Sequence, residues 1–216
     1  MAVQAVCFDL DGTLVDSEGD CADAIERSLR TIGRAMSSTE RDFVVGHGAG
    51  EIFALLRQGG GVPWTMAQFE DAVYAARVEL LAERGANVLP GAREIVRWAA
   101  ERYALALVTG STRGEAELML RVLDVASCFR LTLCAGEYPH GKPAPDPYRM
   151  AAAGLGMTSD QCVAIEDSTP GIAAALSAGM PCVAVRAGNR YGQDQSAATH
   201  VLDTLLELPA LLGRLA

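Results

Sequence analysis

The chain has 216 residues, of which 50% are hydrophobic and 21% are charged, and its formal net charge is −9. This composition is typical of a globular protein, and the acidic charge excludes nucleic acid and anionic membranes as partners because no cluster of Lys or Arg could neutralise their phosphates. No apolar run approaches the roughly 18 residues of a membrane-spanning helix, and the first residues lack the features of a signal peptide, so we expect a cytoplasmic protein.

Short apolar segments alternate with segments of helical periodicity along most of the chain. The apolar segments predict strands at residues 2–8, 105–108, 131–134, 162–165 and 182–185. The periodic segments predict helices at residues 92–101, 114–123, 146–154 and 171–178. Continuous apolar strands separated by crossover helices indicate a parallel sheet covered on both faces, which is a doubly wound α/β domain.

The alternation is interrupted after the first strand by a long helical stretch. Helical segments follow one another from about residue 18 to residue 87, with glycine-rich joints at residues 46–50 and 59–61. We therefore predict an α/β core at residues 1–16 and 88–216 and an inserted helical subdomain at residues 17–87. Because the insert follows the first strand directly, we expect it at the carboxyl end of that strand, where open α/β sheets bind ligands.

Two acidic residues, Asp9 and Asp11, follow the first predicted strand in the sequence FDLDGTL. Side chains at positions i and i+2 of an extended chain share a face, so both carboxylates can point into one site. Two carboxylates this close repel each other and raise one pKa unless a cation holds both. The alternative is an Asp-Gly turn after a buried strand, with both acids in solvent.

A hydroxyl group and a glycine follow the second predicted strand, where Thr109, Gly110 and Ser111 precede a helix. A bend of this kind can direct backbone N–H groups and a hydroxyl at phosphate oxygens. The alternative is a Thr or Ser that only caps the following helix. This segment alone leaves both interpretations open.

Lys142 lies between Gly141 and Pro143 in the sequence GKPAPD, where the backbone is constrained and the side chain can be aimed. An acidic protein that binds an anionic ligand needs a local positive charge, and this lysine together with a bound divalent cation would supply it. The alternative is an exposed loop lysine before a helix whose first turn contains Pro145.

Two adjacent acids, Glu166 and Asp167, follow the fourth predicted strand. A hard cation with oxygen ligands suits this pair if the strand end lies beside Asp9. The alternative is the start of a capped helix, with Asp167 or Ser168 as the N-cap residue before Pro170.

The four motifs, in this order and with these spacings, resemble the haloacid dehalogenase superfamily of phosphohydrolases over essentially the whole chain. The sequence DLDGT at residues 9–13 resembles the first motif of that family, Thr109 the second, Lys142 the third, and Glu166 with Asp167 the fourth. The helical insert resembles the α-helical cap of the phosphoglycolate phosphatase and β-phosphoglucomutase group. The resemblance implies a Rossmann-like core with a cap, and a phosphatase that acts on a small phosphate ester such as a sugar phosphate or phosphoglycolate.

The resemblance also implies a role for each motif residue. Asp9 would attack phosphorus and form an aspartyl phosphate, and Asp11 would act as the general acid and base. Mg²⁺ would be held by the Asp9 carboxylate, the Asp11 backbone carbonyl and Asp167, with Glu166 in support. The phosphoryl oxygens would be stabilised by Thr109 and Lys142.

Substrate choice is expected to depend on the cap and on the residues beside the second motif. The candidates for contact with the substrate are Glu18, His47, Gly110, Ser111 and Arg113. No apolar stripe beyond the needs of the core is evident, so we expect a monomer.

Three other functions remain open. A sugar phosphomutase of the β-phosphoglucomutase type would have a His where Cys21 stands and a cap Arg in the loop at residues 46–50, and the absence of both favours hydrolysis. A phospho-accepting regulatory module has a similar sheet and acceptor Asp, but it lacks a helical insert and carries its acceptor on a later strand. A binding protein without turnover is the third alternative, although every expected catalytic group is present.

Overall fold

A computed structural model describes residues 3–44, 47–58, 61–189 and 192–215, without the side chains of Glu18 and Leu215. The chain divides into two compact units. The first combines Met1–Asp16 with Val88–Ala216, and the second is Ser17–Asn87. The first unit contains a β-sheet, whereas the elements described in the second are all helices.

The sheet consists of six parallel strands, β1 (Ala5–Phe8), β2 (Ala104–Val108), β3 (Leu131–Leu133), β4 (Cys162–Glu166), β5 (Cys182–Val185) and β6 (His200–Leu202). Their order across the sheet is β3-β2-β1-β4-β5-β6. Strand β1 therefore lies centrally, with Phe8 paired to Leu107 on β2 and to Ile165 on β4. The strand order reverses beside β1, and open α/β sheets bind ligands outside the carboxyl ends of strands at such a point.

Four helices are described in the second unit, α1 (Glu18–Arg30), α2 (Ser38–Val44), α3 (Ala49–Gln58) and α4 (Met66–Arg84). Helix α4 begins at a capping box, in which Thr65 and Gln68 satisfy each other's backbone N–H groups. Helices α1 and α4 are also joined by exposed ion pairs such as Arg27 to Glu83 at 2.7 Å. The helices enclose an apolar core of their own, which includes Ile25, Leu29, Phe53, Phe69 and Val73.

Five helices are described in the first unit, α5 (Ala92–Ala100), α6 (Arg113–Leu123), α7 (Asp146–Gly154), α8 (Thr169–Ser177) and α9 (Leu208–Leu215). Helix α6 starts at a capping box formed by Thr112 and Glu115, and α8 starts at the N-cap residue Ser168, whose hydroxyl accepts from the Gly171 N–H. The helices flank the sheet, so every residue of β1, β2, β4 and β5 is buried. This arrangement confirms the predicted doubly wound α/β fold. None of the helices in the described ranges is both long and apolar enough to cross a membrane.

The structure differs from the predicted strands at their ends and at one edge of the sheet. Strand β1 begins at Ala5, although the backbone of Gln4 already bonds to Gln161 O and to the Ala104 N–H, and residue 2 lies outside the described residues. Strand β3 ends at Leu133, one residue earlier than predicted. Strand β6 was not predicted, because its three residues include His200 and are too short to form an apolar run.

Candidate active site

Three of the predicted site residues lie at the carboxyl ends of adjacent strands. Asp9 directly follows β1, Thr109 directly follows β2, and Glu166 is the last residue of β4; all three are buried. Backbone pairing continues past the strands, because the Asp9 N–H donates to Ile165 O at 2.9 Å and the Thr109 N–H donates to Leu133 O at 3.0 Å. These bonds fix the direction in which Asp9 and Thr109 leave the sheet.

Lys142 is the single lysine of the chain, and its ammonium joins the ends of β1, β2 and β4. Nζ donates to Asp9 Oδ1 at 2.6 Å, to Glu166 Oε1 at 2.6 Å and to Val108 O at 2.9 Å. Burial acts to lower the pKa of Lys142, but the two carboxylates outweigh burial and raise this pKa, so the ammonium stays charged. The interpretation as an exposed loop lysine is therefore wrong, since the side chain is only 12% exposed.

The Glu166 carboxylate accepts hydrogen bonds from five donors. Oε1 accepts from Lys142 and, at 2.7 Å, from the hydroxyl of Tyr148. Oε2 accepts from the Ser168 hydroxyl at 3.0 Å and from the backbone N–H groups of Asp167 and Ser168 at 3.2 and 3.4 Å. A buried carboxylate with this many donors is well compensated for its loss of water.

Asp11 is held by the two hydroxyls that follow β2. Ser111 Oγ donates to Asp11 Oδ2 at 2.5 Å, and Thr109 Oγ1 donates to the same oxygen at 3.3 Å. The Ser111 N–H in turn donates to Thr109 Oγ1 at 3.0 Å, so the bend after β2 fixes both hydroxyls. Neither hydroxyl caps helix α6, because that function belongs to Thr112.

Asp167 packs against the backbone of Gly12. Its Oδ1 accepts from the Thr13 hydroxyl at 3.3 Å, and its backbone carbonyl accepts from Gln195 Nε2 at 2.7 Å. A Cβ at residue 12 would lie 2.2 Å from Asp167 Oδ2, and the φ of Gly12 is +81°. Glycine is therefore required at this position for both space and backbone conformation.

Gly12→Ala is expected to lower the free energy of unfolding by about 3 kcal/mol, because the new Cβ would force Asp167 out of its position and the φ would be strained. Gly136→Ala is the matched control, since Gly136 has a φ of +84° with nothing within 4 Å of its Cβ position. This control should lower the free energy of unfolding by only about 1 kcal/mol. Urea denaturation of both variants measures the difference, and equal costs would contradict the close packing of Gly12 on Asp167.

Three buried carboxylates, those of Asp9, Glu166 and Asp167, offer oxygen atoms that all lie within 4.8 Å of one another. Burial raises the pKa of Asp9 to about 8, with Glu166 and Asp11 adding to the rise and Lys142 opposing it. The ammonium of Lys142 offsets only part of the negative charge that these three carboxylates carry when they are ionised, and their oxygens are hard donors. This donor set suits a divalent cation such as Mg²⁺.

The other residues predicted to contact the substrate are Arg113, Gly110, His47 and Glu18. The Arg113 guanidinium is paired with Glu137 at 2.6 and 2.9 Å and also donates to Thr132 O at 2.8 Å. Gly110 is exposed beside Thr109, and a Cβ there would meet nothing within 4 Å. His47 belongs to the helical unit and stacks on Phe43 with ring centroids 3.8 Å apart. The side chain of Glu18 lies outside the described residues.

Several side chains that support this cluster could not be predicted from the sequence. Tyr148 and Gln195 are buried, and Tyr138 donates from its hydroxyl to Thr109 O at 3.0 Å. A tyrosine in an apolar helix has the same pattern as any core aromatic residue. Thr13 is the last residue of the first motif, so its hydroxyl is the one supporting group whose place in the sequence pointed to the site.

Known proteins resemble this chain in sequence over most of its length. The sequence model of the haloacid dehalogenase-like hydrolases matches residues 3–179. The phosphoglycolate phosphatase of Pseudomonas putida is 30% identical over 213 residues, which cover 94% of this chain and 77% of that protein. Protein CbbY of Rhodobacter capsulatus is 30% identical over 208 residues, which cover 92% of each chain.

A solved structure has the same fold over nearly the whole chain. The crystal structure of CbbY from Rhodobacter sphaeroides in complex with phosphate superposes with a TM-score of 0.85 at 25% identity, covering 95% of this chain and 96% of that one. A variant of that protein in complex with xylulose-1,5-bisphosphate gives a TM-score of 0.84 over the same shares of the two chains.

Proposed function

Because the chain belongs to the haloacid dehalogenase-like hydrolase family, we propose that it hydrolyses a small phosphorylated metabolite through an aspartyl phosphate on Asp9, with Mg²⁺ as cofactor. The phosphatases among its relatives confirm the prediction of a phosphoric monoester hydrolase. The observation that carries the proposed mechanism is the contact of one ammonium with Asp9 and Glu166 at the ends of neighbouring strands. This ammonium supplies the positive charge that an anionic substrate requires in an acidic protein.

In the first step, a carboxylate oxygen of Asp9 forms a bond to phosphorus while the bond from phosphorus to the ester oxygen breaks. The leaving alkoxide takes a proton from Asp11. In the second step, Asp11 removes a proton from water, the water oxygen bonds to phosphorus, and the bond to Asp9 breaks to release phosphate. Asp9 and Asp11 both return to their starting states, so the cycle balances.

Asp11 suits the role of acid and base because hydrogen bonds hold its carboxylate in place while the residue is partly exposed to solvent. The hydroxyls of Ser111 and Thr109 hold one of its oxygens, at 2.5 and 3.3 Å. A group that exchanges protons must have a fixed direction and access to water, and Asp11 is less deeply buried than Asp9. Ser111, predicted as a contact for the substrate, is therefore proposed to orient Asp11 as well.

The carboxylates of Asp9 and Asp167 would hold Mg²⁺, and the family resemblance adds the backbone carbonyl of Asp11. When bound, the ion would neutralise charge on the phosphoryl oxygens and fix their orientation. Glu166 is proposed to support this site through Lys142 and through the backbone of Asp167, because both of its oxygens already accept from other groups. Thr109 and Lys142 are proposed to stabilise the phosphoryl group.

The substrate is proposed to be a small phosphate ester, such as a phosphorylated hydroxy acid or sugar. The support comes from relatives named phosphoglycolate phosphatase and from the CbbY structure with xylulose-1,5-bisphosphate. The helical unit, Ser17–Asn87, is proposed to act as the cap that selects among such esters, with His47 and Glu18 as candidates. A cytoplasmic location and a monomeric state stay predictions.

Phosphate release from a panel of esters tests this function. The panel contains phosphoglycolate, sugar monophosphates, sugar bisphosphates and nucleotides, each assayed with Mg²⁺ and with EDTA. We expect release from one class of small ester, and only with the metal. Formation of an isomerised sugar phosphate without free phosphate would contradict hydrolysis and favour the phosphomutase alternative.

Binding of Mg²⁺ is expected to strengthen as the pH rises, because the buried Asp9 has a raised pKa in the metal-free protein. A protonated carboxyl is a poor ligand, so below this pKa each bound ion must displace a proton. Calorimetric affinity should rise about tenfold per pH unit from about pH 6 to about pH 8 and then level off. The released proton should make the heat depend on the buffer. An affinity that is constant over this range would count against Asp9 as a ligand.

A further inference from the structure

Tyr148 lies in the first turn of α7, six residues after Lys142, and its side chain is fully buried. Its hydroxyl donates to Glu166 Oε1 at 2.7 Å. The same oxygen accepts from Lys142 Nζ at 2.6 Å, and Nζ also lies 5.3 Å from the centroid of the Tyr148 ring. The phenol and the ammonium therefore share one acceptor atom, and the ring adjoins the charge.

Glu166 is confined by its hydrogen-bond donors and by the start of helix α8. Its other oxygen accepts from the Ser168 hydroxyl and from two backbone N–H groups. A Cβ at Gly171 would lie 2.0 Å from the carboxylate, so α8 closes the space behind it. Oε1 accepts from the Tyr148 hydroxyl and from Lys142 Nζ, so the phenol is placed to influence the direction in which this oxygen faces the ammonium.

We propose that Tyr148 is a positioning residue, which orients Glu166 through its hydroxyl and thereby holds Lys142 against Asp9. Burial and the neighbouring Glu166 carboxylate raise the pKa of Tyr148, so the phenol stays protonated and donates. Only the catalytic consequence rests on the proposed function. The orientation of Lys142 is a property of the folded chain and needs no substrate.

A role in packing alone is the competing explanation, since Tyr148 also belongs to the apolar core between the sheet and its helices. The two roles differ in what the hydroxyl does. Tyr148→Phe keeps the ring and its packing but removes the donor to Glu166. A packing residue would tolerate this change, whereas a positioning residue would not.

The single lysine makes the test direct. Protein grown with isotope-labelled lysine gives one side-chain NMR signal, which belongs to Lys142 without further assignment. In Tyr148→Phe we expect this signal to shift and its ammonium protons to exchange with water about tenfold faster. Tyr103→Phe is the control, because Tyr103 precedes β2 at the opposite end of that strand from Thr109. The control should leave the signal unchanged.

Kinetics supply the second readout. Tyr148→Phe should lower kcat about tenfold and change KM less than about threefold, because the substrate still binds while Lys142 is misplaced. In a Glu166→Gln background, the same change should have little further effect, since Tyr148 acts through Glu166. If no variant or wild-type protein releases phosphate, the proposed reaction is contradicted, but the NMR comparison still decides the role of Tyr148.

Incorporation of fluorotyrosine covers the case in which Tyr148→Phe does not fold. Fluorination makes the phenol a stronger donor and leaves the ring in place, so the Lys142 signal should move and its exchange should slow. The effect should persist in Tyr138→Phe, which removes the phenol that donates to Thr109 O. A Lys142 signal and exchange rate that are unchanged by Tyr148→Phe, or by fluorotyrosine if that variant is unfolded, would overturn the proposal.

Discussion

Asp9→Asn is expected to lower kcat by at least about 10⁴-fold, because an amide cannot form the bond to phosphorus that the carboxylate forms. The fold should survive, since the Asn side-chain oxygen can still accept from Lys142. The stability of the metal-free protein should even be maintained or raised at neutral pH. The reason is that burial raises the pKa of Asp9, with Glu166 and Asp11 adding to the rise, so at neutral pH the native carboxyl must either take up a proton on folding or stay buried as an anion, whereas an amide does neither.

Asp160→Asn is the matched control for this experiment. Asp160 is exposed and precedes β4, at the end of that strand opposite to Glu166. The control should retain wild-type kcat and wild-type dependence on Mg²⁺. A rate in Asp9→Asn within about tenfold of the wild type would rule out Asp9 as the nucleophile.

Lys142→Met is expected to lower both activity and stability strongly, whereas Asp9→Asn lowers activity alone. It removes three hydrogen bonds and leaves the carboxylates of Asp9 and Glu166 buried without a cation. Breaking a buried ion pair in this way costs about 3–5 kcal/mol of unfolding free energy, and kcat should fall about 10³-fold. Lower pH should restore part of the stability, because protonation removes the uncompensated charge.

Arg149→Met provides the control for loss of a cation. Arg149 is exposed on α7, and its guanidinium donates to Ser177 O at 3.1 Å. We expect a change in unfolding free energy below about 1 kcal/mol for this variant and no change in kcat. If Lys142→Met were as stable as Arg149→Met, the ammonium would not be the charge that compensates Asp9 and Glu166.

The central strands and the acids at their ends were predictable because they depend on local patterns. Continuous apolar segments predict buried parallel strands, and the carboxyl ends of such strands meet at one edge of a sheet. The structure accordingly brings together the residues of the four motifs, Asp9, Thr109, Lys142 and Glu166. Lys142 lies 133 positions along the chain from Asp9 and 24 positions from Glu166. The place of a motif at the end of a predicted strand is therefore enough to predict that its residues lie at this edge of the sheet.

The partners of these residues were less predictable, because they depend on packing between distant segments. The ion pair of Arg113 with Glu137, which lies in the loop after β3, was not predictable from the second motif that Arg113 follows. Tyr148 shows the same limit, since only the packing of α7 against the sheet brings its hydroxyl to Glu166. Sequence periodicity reports which face of a helix is buried, and not which atom a buried hydroxyl meets.

Chemical trapping of the intermediate tests the central claim most directly. Enzyme quenched in acid during turnover of its best substrate is treated with borohydride, which reduces an aspartyl phosphate to homoserine, and the peptide that contains residue 9 is analysed by mass spectrometry. We predict homoserine at position 9 in the wild type and none in Asp9→Asn. Reduction at another acidic residue, or steady release of phosphate with Asp9 never modified, would contradict the proposed mechanism.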